Sequence, residues 1–172
     1  MPYVLVEMVI CQLDESCFSH KPKFHRGRRP TTEIWVFGIV DTSFRPSRAH
    51  LEIVRKRDAA TLLPIIERVC KPGTIVHTDS WAAYRNNQTQ SGFQHHQVNH
   101  SDPLHRFKAA DGTHIQHIES YWGKRKHRIK EMKGVHKHLL HEYLNEFMWR
   151  DQHSHEPFQC ILSHIAQHVH LQ

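Results

Sequence analysis

The sequence predicts an α/β fold, a five-stranded mixed sheet flanked by helices. Three observations predict it. Five short runs rich in apolar and β-branched residues are each bounded by turn-forming residues. The segments that follow them repeat apolar residues at helical spacing. Three strands come in succession before helices and strands alternate, the order of a sheet that mixes a meander with crossover connections.

The first strand is the apolar run Val4–Leu13, ending at Asp14. Residues 20–30, His-Lys-Pro-Lys-Phe-His-Arg-Gly-Arg-Arg-Pro, are basic and broken by Pro and Gly, so they read as a loop. Ile34–Val40 is a β-branched and aromatic strand, and Asp41–Pro46 turns it into a third strand, Ala49–Val54. Ala59–Val69 is a helix with Leu62, Leu63, Ile66 and Val69 on one face, stopped by Lys71-Pro-Gly73. Thr74–Thr78 is the fourth strand and ends at Asp79; Ser80–Tyr84 reads as a short helix behind a Ser cap. A polar loop leads to the fifth strand, Phe93–Val98, and residues 99–112 form an irregular connection. From Thr113, residues Ile115, Ile118, Trp122 and Ile129 keep helical spacing, with Glu119 beside the stripe. Two further helices, His136–Arg150 and the weaker Cys160–Val169, are expected to cover the sheet.

Composition narrows the partners. Lys and Arg outnumber Asp and Glu by 23 to 17, a formal charge of +6, and 19 histidines add charge below neutrality. Such a balance favours a polyanion. Four scattered cysteines without a CxxC pair indicate neither a zinc ribbon nor a disulfide framework. The apolar opening lacks a basic leader and carries Glu7, so a signal peptide and a membrane span are both excluded as readings.

Asp14 and Asp79 end strands, and Glu119 lies on a helix expected to pack against them. Carboxylates so placed can hold two Mg²⁺ ions about 3.5–4 Å apart, with Mn²⁺ as the alternative, one activating an attacking oxygen and one stabilising a leaving oxygen at phosphorus. Glu15 and Asp102 are the rival acids; Glu15, adjoining Asp14 on a strand, is expected to face away from it into solvent. His77 would share a strand face with Asp79 and help order the site. The basic run Lys124, Arg125, Lys126, Arg128 and Lys130 follows Glu119 and is expected to meet DNA phosphates, as are Arg26, Arg28 and Arg29 of the first loop. Trp81, Tyr84, Trp122 and Trp149 read as core aromatics.

The strand and helix order resembles the ribonuclease H-like polynucleotidyl transferases. The wording of the chain is similar to the DDE transposase domain of ISXO-like insertion sequences and their eukaryotic relatives, the Merlin superfamily. The matching phrases are Leu13-Asp-Glu-Ser16, Arg26-Gly-Arg-Arg29, Trp35-Val-Phe-Gly38, Thr61-Leu-Leu-Pro-Ile-Ile66, Pro72 through Tyr84, Val98-Asn-His-Ser101, His117-Ile-Glu-Ser-Tyr-Trp122 and Glu146-Phe-Met-Trp-Arg150. The resemblance implies that Asp14, Asp79 and Glu119 are the catalytic, metal-binding DDE triad. It places Lys126, two helical turns beyond Glu119, against a DNA end. Residues 1–150 would be the catalytic domain and 151–172 a helical tail of the same domain.

The implied activity is Mg²⁺-dependent cleavage and strand transfer on duplex DNA, transposon ends and target alike, by a homo-oligomer assembled on DNA and away from membranes. The implied location is the nucleus of a eukaryote or the cytoplasm and nucleoid of a bacterium, without secretion. Relatives usually carry an N-terminal DNA-reading segment, whereas this chain opens on the first catalytic strand, as a trimmed, decayed or domesticated copy would. A domesticated, non-cleaving DNA-binding protein and a ribonuclease H-like structure-selective nuclease are the alternatives.

Overall fold

Five strands, β1 (Ile10–Cys17), β2 (Trp35–Asp41), β3 (Arg48–Val54), β4 (Ile75–Asp79) and β5 (Gln94–Val98), form one sheet in the order β3-β2-β1-β4-β5. The computed structural model describes residues 9–18, 33–79, 92–99, 101–102, 104 and 107–169. β1–β2 and β2–β3 pair antiparallel; β1–β4 and β4–β5 pair parallel and so need crossovers. The first crossover carries α1 (Ala59–Val69). α2 (Gln116–Glu131), α3 (Leu140–Gln152) and α4 (Pro157–Val169) follow β5. This is the ribonuclease H-like topology expected from the sequence.

Strand alternation sorts the sheet into two faces. Cys11, Leu13, Phe37 and Ile39 pack with Leu62 and Ile66 of α1. Val36, Val40 and Leu51 pack with Ile118 and Trp122 of α2 and Leu144 of α3. Gln12 and Asp14 share this second face, in register with Val40 and Gly38. α1 starts at Asp58, whose carboxylate accepts from Thr61 N at 3.0 Å. It continues through Pro64 because Leu62, Ile65, Ile66 and Val69 are buried on the sheet side.

Three expectations need correction. The first strand does not end at Asp14, because the ladder with β2 continues to Cys17 and leaves Asp14 within the strand. The last two helices do not both cover the sheet. α3 does, and Leu51 N of edge strand β3 donates to Met148 Sδ at 3.1 Å. α4 leaves Phe158 69% and Ile165 55% exposed, since α2 and α3 already fill that face. Glu15 is not solvated but half-buried. The expected loop at residues 20–30 and helix at Ser80–Tyr84 lie outside the described residues. Among the described residues no helix is long and apolar enough to cross a membrane.

Candidate active site

Asp14 stands opposite Gly38 in the β1–β2 ladder. A Cβ on Gly38 would lie 2.5 Å from Trp122 Cζ2 and 2.7 Å from Cη2, so only glycine lets the indole approach β2 this closely. From that seat Trp122 Nε1 donates to Asp14 Oδ2 at 3.1 Å, and Phe18 meets the indole edge-on with centroids 5.7 Å apart. Burial, the Asp79 charge and the Glu119 charge raise the Asp14 carboxyl to about 7, against the downward pull of a backbone hydrogen bond and the Trp122 N–H. Glu15 is raised to about 8 by burial and then by Asp14 and Asp79, with Arg57 opposing.

α2 reaches the site through an uncommon anchor. Its N-cap, Ile115, has no capping side chain; the buried Gln12 of β1 serves instead. Gln12 Oε1 accepts from His117 N at 2.9 Å and Ile118 N at 3.1 Å, and Gln12 Nε2 donates to His114 O at 2.8 Å. One amide thus satisfies the helix start and ties it two residues from Asp14. Glu119 sits in the first turn, where the helix dipole favours a carboxylate, and its side chain is exposed. Asp79 is the last residue of β4. His77, two residues earlier, lies 3.3 Å from His114 O through Nδ1, and burial lowers its pKa.

The three acids share one electrostatic site around Asp14. Yet among the described residues no three His, Cys, Asp or Glu side chains stand close enough to hold a metal ion. The expectation of a ready-made ligand set is therefore met only in part. Carboxylates that repel one another do not close up without a counter-charge, and exposed Glu119 has the rotamer freedom to stay apart. The donor chemistry, all oxygen and all anionic, still fits a hard divalent cation.

The remaining candidates separate. Lys126 is lowered by partial desolvation but held up by Cys17 and Asp14, and its ammonium lies 5.6 Å from the Phe18 ring centroid, on the flank of α2 that faces Asp14. Arg125 turns the other way, pairing with buried Asp151 and lying 4.5 Å over Tyr121. Tyr121 donates to Asp151 at 2.7 Å. Lys124 and Lys130 are exposed, and Arg128 forms an exposed ion pair with Glu131 at 3.5 Å. Asp102 is a turn residue that accepts from Leu104 N at 2.9 Å. Arg26, Arg28 and Arg29 lie outside the described residues.

Sequence reasoning missed Gln12, Gly38 and Asp151. Gln12 and Gly38 carry a readable signal, a polar residue and a glycine at inward positions of strands. Asp151 carries none.

A ribonuclease H-like sheet with acids on β1, at the end of β4 and in the first turn of α2 defines the class of DDE-type transposase domains. Residues 12–152 match the ISXO2-like transposase domain, and the chain belongs to that family. It is 32% identical over 103 residues to an "uncharacterized transposase-like protein" of Haemophilus influenzae, covering 60% of this chain and 80% of that protein. Its fold is similar to a chain in the simian T-cell lymphotropic virus intasome solved with PP2A regulatory subunit B56 gamma. There the TM-score is 0.53 at 16% identity, over 86% of this chain and 49% of that one. The chain thus spans about half the length of that partner in the comparison, and the likeness is one of fold.

Proposed function

We propose that this chain is the catalytic domain of a DDE transposase that cleaves a DNA strand and joins the freed end to target DNA. Asp14, Asp79 and Glu119 would hold Mg²⁺ or Mn²⁺. The observation that carries the reading is the Asp14 carboxyl, half-buried and raised to about 7 with two further acids among its causes. A half-buried acid within the field of two other acids is costly unless a cation joins it. Divalent ions bound there supply Lewis-acid polarisation of the phosphoryl group and an activated oxygen nucleophile.

The chain's own residues do the positioning. Trp122 fixes the Asp14 carboxylate through Oδ2. Gln12 holds the start of α2, and with it Glu119, against the same strand. Lys126 offers a cation beside Asp14, suited to a DNA phosphate. Duplex DNA is the substrate on this reading, and a homo-oligomer on DNA is the working form.

The test is metal-dependent nicking or strand transfer on duplex DNA. Asp14→Asn and Asp79→Asn should each lower it more than roughly a hundredfold, since a metal ligand supports several kcal/mol of transition-state stabilisation. Undiminished activity in both variants would remove the assignment. Intact DNA binding without cleavage by the unaltered chain would favour a non-cleaving DNA-binding protein.

A further inference from the structure

α2 has two flanks with different chemistry. Glu119, Trp122 and Lys126 follow the side facing Asp14. His117, Ser120, Tyr121, Lys124 and Arg125, spaced as i, i+3, i+4, i+7 and i+8, share the opposite flank and line a cavity of about 310 Å³. Its far wall is the β2–β3 turn, which contributes Arg45 and Ser47.

The charge left over in this cavity is positive. The Asp151 carboxylate, at its base, is consumed by Arg125 and by the Tyr121 hydroxyl. Among the described residues Arg45 and Lys124 form no ion pair, and both are exposed. Arg125 Nε is buried and without an acceptor among the described residues. Arg45 and Lys124 both line a cleft whose walls also carry the Ser47 and Ser120 hydroxyls, and the one carboxylate there, Asp151, feels Lys124 as well as its direct partner Arg125. That is the donor set of a site for a tetrahedral oxyanion.

We propose that the cavity between the β2–β3 turn and the outer flank of α2 is a subsite for one backbone phosphate of a nucleic acid strand, clasped jointly by Arg45 and Lys124. The inference rests on the reading of the chain as a DNA-processing domain. The subsite lies across α2 from the acids, about one helix diameter or ~10–12 Å away, so a strand crossing the helix is gripped on both sides. Arg45 is then a positioning residue outside the basic run that follows Glu119.

The experiment uses the full chain and duplex DNA without divalent metal, so that cleavage is not being tested. Affinity is followed against salt for the unaltered protein, Arg45→Ala, Lys124→Ala and the double variant, with circular dichroism confirming the fold. A shared phosphate predicts that the double variant flattens the slope by about 0.9, one contact's worth, because both residues serve one phosphate. An additive loss of about 1.8 would mean two separate surface contacts and would overturn the subsite, as would an unchanged slope in the double variant. Phosphate-ethylation interference should show one position that weakens the unaltered protein but not the double variant; no such position would also overturn it. Arg45-dependent binding of inorganic phosphate with an unchanged duplex slope would make this a free-anion site and defeat the nucleic-acid assignment. If the unaltered chain shows no salt-dependent duplex binding, the DNA reading itself falls and the subsite with it.

Discussion

Asp14, Gly38 and Trp122 act as a unit, in which a missing side chain on β2 makes room for the indole that holds a carboxylate on β1. Gly38→Ala should overpack the indole and cost about 1–3 kcal/mol in denaturant unfolding, with loss of nicking, as the indole is displaced. The carboxyls give a pH dependence with a definite sign. Asp14 goes from 3.8 to about 7 in the folded protein and Glu15 from 4.5 to about 8, so the folded state holds protons that the unfolded chain has released. Stability of the cation-free protein should therefore fall as pH rises from about 4 to about 8, then level off. Urea midpoints measured in chelator across that range check it, and a rising curve would contradict the burial of these acids. Asp79→Asn removes one repelling charge and should soften the fall while abolishing cleavage, a stability gain bought with function.

At the scale of elements, besides the Trp122–Asp14 bond, side chains of other elements hold α2 at its start and near its middle. Gln12 satisfies its first turn from β1, and Asp151 of α3 pairs with Arg125 near its middle. Gln12→Leu leaves the His117 and Ile118 N–H groups without their acceptor in a buried place and should cost roughly 1–3 kcal/mol. Asp151→Leu strands Arg125, whose side chain is only 18% exposed, and should cost about 3–5 kcal/mol in chemical denaturation. Asp151→Leu combined with Arg125→Met should recover much of that loss, because it removes both charges rather than one. A double variant no more stable than the single one would show that the pair does not act as a pair.

For the whole molecule, the proposed acid site on one flank of α2 and the proposed phosphate subsite on the other should make stability and DNA binding respond to different ions. A divalent cation that binds only the folded state stabilises it by mass action, about 2.7 kcal/mol at a hundred times its dissociation constant. Mg²⁺ should thus raise the thermal midpoint of the unaltered protein, and Asp14→Asn should blunt the rise. An equal rise in both would place the cation elsewhere. Lys126→Ala should reduce cleavage more than DNA affinity, because Lys126 lies near Asp14, a proposed metal ligand. Strand cleavage and duplex binding measured on the same preparation separate the two effects.

Periodicity by itself determined the sheet, the three-strand opening, α1 and α2, because alternation and helical spacing are local properties of the chain. It also marked Asp14, Asp79 and Glu119, since acids at the ends of apolar runs and beside an apolar stripe stand out against their surroundings. Only the tertiary structure decided what those acids experience. The Asp14 carboxyl is raised by burial and by charges 65 and 105 positions away in sequence, which no local window contains. The same holds for the seat of Trp122 on Gly38, the anchoring of α2 by Gln12, and the opposed directions of Lys126 and Arg125 on one helix. Each is a contact between elements whose pairing the sequence pattern permits but does not specify, because burial and long-range charge arise only once the sheet is assembled.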